Sequence, residues 1–406
     1  MQLIMKVKFL GPEIFLPENK NGVNKTTYNL LKDHPELTVE FYYPATLDDK
    51  KTPELPPGFS HVTLRPIRVS SLRKINFFSK LSSLVSLRPF IADRQSQLRL
   101  LAAGLNLDST TPLVVVSLTS AGVLDFLKPE QLRHTALMPI DCLTFFYESR
   151  IENEPSFFKR LLYRLDAWKA RRFEKSLYAR ACKSLFVSPH DAARAREISG
   201  GTCLGLPYGV DLDKFDRESG AASLKSPTES HDLIFTGNFD YGPNIMGALF
   251  LTDQVMPLLR ARGVDVRLIL AGGNPVPAIR ERACSDIMVT GFVDSLTPLL
   301  KSSTVFLSPI FFGAGVKTKV LEAMYLECLI LGTPESFWAI EAKLGEDVLV
   351  VEDKRNPEAW ARFIQEIVEN EEKYRDVGAR ARAAIVANHR WPRVRELYRE
   401  QIVGLL

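Results

Sequence analysis

The segment Ser308–Glu322, SPIFFGAGVKTKVLE, has residue types suited to binding a phosphate group. An apolar run ends near Ser308, Gly313 and Gly315 open a turn, and a helical pattern begins at about residue 316. Glycines let a ligand approach the backbone closely, and the N–H groups of a helix N-terminus favour an anion. Lys317 and Lys319 add cations to the first turn, where the helix dipole disfavours them unless an anion compensates. These features predict phosphate binding, and the alternative is a glycine-rich turn before a solvated helix.

A second loop, Phe235–Asn244 (FTGNFDYGPN), also follows a strand pattern and precedes a helix. Gly237 could bring the backbone close to a ligand, whereas Asn238 or Asn244 could simply cap the helix. Two such loops at equivalent strand ends of one sheet would favour a shared nucleotide crevice, because ligands of such sheets bind beyond the carboxyl ends of the strands.

Two residues of the first half are further candidates. Gly22, in NKNGVN, follows the first predicted strand and could place backbone against a ligand, with an ordinary turn as the alternative. Asp141, in MPIDCLTFFYESR, ends a predicted strand and could hold a sugar hydroxyl or act on an acceptor. The alternative for Asp141 is capping of the next helix.

These segments lie in an alternation of short apolar runs and amphipathic stretches, which indicates βαβ units and parallel sheets with covered faces. In the first half we predict strands at residues 4–10, 38–43, 112–117, 135–140, 184–187 and 202–206. In the second half we predict them at 232–236, 266–271, 287–290, 304–308, 329–331 and 347–351. The polar stretch Val210–Asp232 separates the two series and is interpreted as a linker. The predicted architecture is α/β, with two Rossmann-like domains facing each other across a cleft.

Composition sets further limits. The chain has 406 residues, of which 46% are hydrophobic and 25% charged, so a disordered or fibrous protein is excluded. The five cysteines are scattered, with neither a metal-binding pattern nor a disulfide framework, which favours a reducing cytoplasm. The histidines show no metal-ligand spacing, and His34, His61 and His389 are expected at the surface. We predict no metal site.

Positive charge is concentrated in residues 1–200, which contain 29 Lys and Arg against 20 Asp and Glu, whereas the remainder contains 23 against 28. The segment Arg65–Arg99 has eight bases and one acid and includes Phe77, Phe78 and Leu81. We interpret it as a segment that docks on an anionic membrane. The segment Lys159–Lys183 has nine bases and two acids, and we interpret it as a solvated helix face. Nucleic-acid binding is disfavoured because no recognition motif accompanies the bases.

Four motifs, GNFDYGPN, LILAGGNP, VTGFVDSLTPLL and GAGVKTKVLEAM, resemble the nucleotide-sugar half of the GT-B glycosyltransferases of family four, over about residues 233–342. The resemblance implies transfer of a hexose-like sugar from a nucleotide-sugar donor to an acceptor hydroxyl, with retained configuration and without a metal or other cofactor. It implies an acceptor-side domain at 1–209, a donor-binding domain at 210–391 and a helix at about 392–406 that packs back on the first. The expected acceptor is a glycan or lipid-linked glycan of cell-surface or exopolysaccharide synthesis. The expected location is the cytoplasm, with peripheral attachment to the inner membrane face.

The resemblance also implies roles for single residues. Lys319 would stabilise the donor diphosphate catalytically, and Glu322 would contact the ribose. An earlier glutamate that touches the donor sugar in the family is replaced here by Ala314, so backbone amides would substitute for it. Independently of the resemblance, the place of Asp141 at a strand end makes it the catalytic candidate on the acceptor side. The other expected donor-binding residues are Gly22, Gly237, Asn238, Asn244, Gly313, Gly315 and Lys317.

Two alternatives remain at this stage. A nucleotide-sugar epimerase or a phosphorylase on the same fold would bind a similar donor without an acceptor oligosaccharide. A catalytically silent binding protein would keep the fold, and Ala314 is the feature that favours it.

Overall fold

The computed structural model describes residues 5–16, 22–34, 36–46, 52–69, 95–212, 215 and 231–405. The chain divides into two compact units: unit 1 is Met1–Tyr208 with Trp391–Leu406, and unit 2 is Gly209–Arg390. Each unit contains a parallel β-sheet, so the predicted α/β class with two Rossmann-like domains is confirmed. None of the helices in these ranges is long and apolar enough to cross a membrane.

Unit 1 has a seven-stranded sheet in the order β3-β2-β1-β4-β5-β6-β7. Its strands are β1 Met5–Leu10, β2 Leu37–Ala45, β3 Val62–Arg68, β4 Leu113–Val116, β5 Thr135–Ile140, β6 Lys183–Phe186 and β7 Cys203–Gly205. Six of these confirm the predicted strands. Strand β3 was not predicted, because it lies at the sheet edge, where it is half exposed and tolerates Pro66 and two arginines.

Eight α-helices of the described residues belong to unit 1, and one of them is the last helix of the chain. They are α1 Gly22–Leu31, α2 Gln95–Gly104, α3 Leu118–Ala121, α4 Pro129–Leu132, α5 Leu143–Asn153, α6 Phe157–Arg180, α7 Pro189–Ser199 and α16 Trp391–Val403. In α16, Tyr398 and Ile402 are buried beside Leu30 and Leu31 of α1. The Nζ of Lys183 also donates to the carbonyl oxygen of Gln401 at 3.0 Å. The last helix therefore completes the core of the first unit.

A buried carboxylate joins α6 to the start of α5. The side chain of Glu174 accepts hydrogen bonds from the N–H groups of Leu143 at 2.7 Å and Thr144 at 2.9 Å. The hydroxyls of Thr144 and Tyr178 donate to it at 2.5 and 2.7 Å. Burial raises the pKa of Glu174, and these donors oppose the shift by stabilising the ionised form. The carboxylate thus satisfies the helix N-terminus that directly follows Asp141.

Unit 2 has a six-stranded sheet in the order β10-β9-β8-β11-β12-β13. Its strands are β8 His231–Thr236, β9 Val266–Ala271, β10 Ile287–Gly291, β11 Val305–Ser308, β12 Ile330–Gly332 and β13 Leu349–Val350, which confirms all six predictions. Its helices are α8 Gly242–Phe250, α9 Met256–Ala261, α10 Pro277–Arg280, α11 Thr297–Ser302, α12 Thr318–Tyr325, α13 Pro357–Glu369, α14 Glu371–Tyr374 and α15 Val377–Asn388.

The chain passes between the units twice, after Tyr208 and after Arg390. Within unit 2 the two passages are tied together, because the N–H of Val210 donates to the carbonyl oxygen of His389 at 2.7 Å.

Two histidines that were expected at the surface are buried, so this expectation is wrong for His34 and His389. His389 is fully buried, and its Nε2 accepts a hydrogen bond from the N–H of Glu341. His34 lines a cavity together with Tyr398 of α16, and His389 contacts Glu341, so each is buried by residues distant in the sequence.

Two predicted segments lie largely outside the described residues. In the segment Arg65–Arg99, the residues outside the described part of the chain include Phe77, Phe78 and Leu81. In the stretch interpreted as a linker, Phe215 is described; it is buried and its ring lies 6.1 Å from that of Tyr325 in α12. This part of the stretch therefore belongs to unit 2.

Candidate active site

The site in unit 2 is built by loops at one edge of its sheet. Strands β8, β9 and β11 are parallel neighbours, so the loops that follow them lie at the same carboxyl-end edge. The loop after β8 carries Gly237 and Asn238, and the loop after β11 leads through Gly313 and Gly315 into α12. The two loops that the sequence singled out are therefore brought together by the fold.

Lys319 joins these two loops. Its ammonium donates to the carbonyl oxygen of Thr236 and to Oδ1 of Asn244, both at 2.8 Å, and it lies 4.1 Å from the centre of the Phe235 ring. Among the described residues these are its two acceptors, although an ammonium has three N–H donors. Burial, together with the neighbouring Lys317 ammonium, holds the pKa of Lys319 well below that of free lysine. The result is a positioned cation with a donor left for a ligand.

The asparagines of the β8 loop support that cation and do not cap α8. The N-cap of α8 is Tyr241 and has no side-chain hydrogen bond, so the capping alternative is wrong. Instead, Nδ2 of Asn244 donates to the carbonyl oxygen of Asn238 at 2.9 Å, which turns its Oδ1 toward Lys319. A Cβ atom on Gly237 would lie 2.7 Å from that Nδ2. Glycine is therefore required at this position for the asparagine to reach the loop.

The glycine loop before α12 is held by Lys317. Its ammonium contacts the carbonyl oxygens of Gly313, Ala314 and Gly315 at 3.4, 3.0 and 3.1 Å. Gly313 has φ of 119° and Gly315 has φ of 69°, both in the region that favours glycine. Lys317 thus closes the loop on itself, while Lys319 points across to the β8 loop.

The N-terminus of α12 completes the site. Lys317 is the N-cap and gives no side-chain cap, and the first turn contains no acidic residue. Because the first N–H groups of a helix have no intrahelical partner, they favour an anion. Glu322 lies one turn further along and is half-buried. The acceptors of Lys319 are Thr236 and Asn244 rather than Glu322, so these two helix residues do not form an ion pair with each other.

Unit 1 positions the other two candidates separately. Gly22 is the exposed first residue of α1, and an added Cβ would meet no atom within 4 Å. Asp141 directly follows β5 and does not cap α5, because the N-cap is Cys142 and the free N–H groups are taken by Glu174 and Asp191. The preceding residue, Ile140, has φ of 77°, a strained value for a β-branched side chain. Such strain is common at functional sites.

Several contributors to the site could not be predicted from the sequence. The carbonyl oxygen of Thr236 and the ring of Phe235 contact Lys319, and Nδ2 of Asn274 donates to Oδ1 of Asn238 at 3.1 Å. Gly272 packs so closely that an added Cβ would lie 1.9 Å from the Gly237 oxygen. The LILAGGNP motif was the signal that pointed to this third loop. A search of the described residues finds no group of three or more His, Cys, Asp or Glu side chains that could hold a metal ion.

Residues 230–370, about a third of the chain, match the family model described as glycosyl transferases group 1. The chain resembles the group 1 glycosyltransferases. This confirms the resemblance predicted from the sequence, and the matched residues contain the whole site of unit 2.

Two individual relatives are similar to about half of the chain. An uncharacterized 44.6 kDa protein in the cps region of Klebsiella pneumoniae is 21% identical over 52% of this chain and 54% of its own length. A GDP-mannose-dependent alpha-(1-6)-phosphatidylinositol dimannoside mannosyltransferase of Mycobacterium tuberculosis is 31% identical over 46% of this chain and 49% of its own length. The chain thus spans about half the length of these relatives.

The solved structure of sucrose-phosphate synthase from Thermosynechococcus elongatus is similar in fold. It covers 98% of this chain and 100% of its own, with a TM-score of 0.66 and 15% sequence identity. At this identity the similarity concerns the fold, and it confirms the predicted GT-B class.

Proposed function

We propose that the protein is a glycosyltransferase that moves a sugar from a nucleotide-sugar donor to an acceptor hydroxyl. The observation that carries this proposal is the Lys319 ammonium, held between the β8 loop and the uncapped N-terminus of α12. This arrangement suits a diphosphate, since it combines a positioned cation with backbone N–H groups. The group 1 family match and the GDP-mannose dependence of one relative support a nucleotide-sugar donor.

The proposed chemistry uses charge stabilisation. A departing nucleoside diphosphate gains negative charge in the transition state, and preorganised cations and N–H groups stabilise that charge. We propose retention of configuration without a metal, with a donor phosphate oxygen accepting the acceptor's proton. The proposed role of Gly22 at the donor diphosphate comes from the sequence resemblance, and that of Asp141 at the acceptor comes from its place at the end of a strand. The strained Ile140 beside Asp141 supports the second of these.

The proposed acceptor is a glycan or a lipid-linked glycan. A relative in a cps region supports a role in polysaccharide or glycoconjugate synthesis. Membrane docking by Arg65–Arg99 stays a prediction, as does a cytoplasmic location.

A donor screen tests the proposed function. Each nucleotide sugar is added to the protein, and thermal unfolding and sugar release are measured; a donor at 100 times its Kd should stabilise by about 2.7 kcal/mol. One nucleotide sugar should stabilise the protein and then be consumed faster when an acceptor glycan is added. An epimerase would instead convert the donor alone to its epimer, and a phosphorylase would form a sugar phosphate. A silent binding protein would be stabilised without turnover.

Replacing Glu322 by alanine is expected to weaken binding of the nucleoside diphosphate about 10- to 100-fold. The physical reason is loss of a carboxylate–hydroxyl hydrogen bond to the ribose, worth about 1.5–3 kcal/mol. Calorimetric titration with the diphosphate measures the change. Glu346→Ala, at an exposed glutamate of the same unit, is the control. Unchanged affinity in Glu322→Ala would remove the ribose role.

A further inference from the structure

The first half of α6 exposes a continuous apolar stripe. Phe158 is 78% exposed, Phe157 69% and Trp168 49%. Leu161, Leu162 and Leu165 are exposed between them. At 100° per residue these six side chains span an arc of about 140° on one side of the helix. The sequence pattern predicted the helix and its apolar spacing, and the exposed Lys159, Arg164 and Arg171 agree with the interpretation of Lys159–Lys183 as a solvated helix face. The pattern did not show that the apolar side of this half is exposed as well.

The apolar stripe does not pack against the core of unit 1. The buried residues of α6 are Lys169, Ala170, Phe173, Glu174, Leu177 and Tyr178, all in its second half. The first half is anchored on α5 by another side of the helix, where the Arg150 guanidinium lies 4.7 Å from the centre of the Tyr163 ring. Tyr163 is about 180° around the helix from the middle of the stripe. The stripe is therefore exposed on a helix whose second half is anchored in unit 1.

Cations accompany the stripe. Residues 157–172 contain six Lys and Arg against the single acid Asp166. Lys159, Arg164, Arg171 and Arg172 are exposed. A second copy of the chain would bring two such basic helices together. Charge complementarity instead favours an anionic partner that accepts inserted apolar side chains.

We propose that the first half of α6 docks on an anionic membrane surface. The six apolar side chains enter the interface, and the exposed bases contact the lipid headgroups. This proposal concerns the attachment of the protein to a membrane, so it does not depend on the transfer reaction proposed above.

Trp168 provides a local readout. It is the exposed one of four tryptophans, since Trp360 and Trp391 are buried and Trp338 is half-buried. With vesicles of phosphatidylcholine and phosphatidylglycerol in a two-to-one mixture, brominated acyl chains should quench Trp168 fluorescence, and pure phosphatidylcholine should not. The Trp168→Phe variant should bind the vesicles but lose the quenching. Docking by Arg65–Arg99 alone would give co-sedimentation without quenching and would overturn the proposal.

Two pairs of substitutions separate the apolar and the charged contributions. Phe157→Ser with Phe158→Ser should lower vesicle affinity at least tenfold at any salt concentration. Lys159→Gln with Arg164→Gln should lower it about 30-fold at low salt and less at high salt.

The controls use exposed residues of unit 2. Phe292→Ser matches the apolar change, since Phe292 is 76% exposed, and Lys343→Gln with Arg375→Gln matches the charge change. Both should bind vesicles like the wild type, and circular dichroism checks that all variants fold. The proposal is wrong if neither α6 pair weakens binding, if no vesicle binds, or if the Phe pair abolishes a dimer seen by sedimentation, which would make a second copy the occupant.

Discussion

Lys319→Ala is expected to lower kcat about 10²- to 10³-fold while changing donor affinity much less. The ammonium is held at 2.8 Å from two oxygens before any ligand arrives, so it meets the charge of the departing diphosphate without reorganisation. Removing one such stabiliser costs about 3–4 kcal/mol in comparable sites. Steady-state kinetics with the donor identified by the screen measures the effect.

The pH dependence provides an independent check on Lys319. Because burial lowers its pKa, the cation is present at low pH and is lost as pH rises through a value below the ~10.4 of free lysine. The wild type should show an alkaline fall in kcat/KM that disappears in Lys319→Arg, since guanidinium stays charged. Lys343→Ala, at an exposed lysine, is the control. Turnover of Lys319→Ala within threefold of the wild type would contradict the assignment.

Glu174→Ala is expected to destabilise unit 1 by about 3–5 kcal/mol. The substitution leaves two N–H groups and two hydroxyls without their buried acceptor, and each unsatisfied donor costs about 1–3 kcal/mol before relaxation. This is a large fraction of the 5–15 kcal/mol typical of a whole domain. Hydrogen exchange read by mass spectrometry should show protection lost over β5, α5 and α6 and kept over unit 2.

The stability of unit 1 in Glu174→Gln should lie between that of the wild type and that of Glu174→Ala, because an amide keeps one of the two acceptor oxygens. Lys175→Ala, at the exposed neighbour on the same helix, should stay within about 0.5 kcal/mol of the wild type. If Glu174→Ala retained full protection in unit 1, the network would not be what holds α5 and α6 together.

The strands were predictable because most are buried on both faces and appear as continuous apolar runs. Strand β3 was not, since an edge strand alternates polar and apolar residues and resembles a loop in sequence. For the site, the glycines and Lys319 were recognisable from their place before a helix. Of its two acceptors, Asn244 was recognisable and Thr236 was not, because a main-chain oxygen 83 residues away has no side-chain signature.

The apolar residues of α6 show a different limit of prediction from sequence. Periodicity shows that a helix has an apolar side, but it contains no information about whether protein covers that side. Phe158 and Phe173 have the same residue type on the same helix, and one is exposed while the other is buried. What differs is that Phe173 packs into the hydrophobic core of unit 1 and Phe158 does not, and this depends on tertiary packing that the sequence pattern does not contain.

The place of α16 in unit 1 has a consequence for how the chain is made. Unit 2 is one continuous stretch, whereas unit 1 needs residues from both sides of it. During synthesis the side of α1 that Tyr398 and Ile402 cover stays open until α16 leaves the ribosome. The unit that is translated second can therefore reach its native state first, and a nascent chain carries the unfinished first unit throughout that interval. Until α16 is made, Leu30 and Leu31 lack the apolar side chains that cover them in the finished unit.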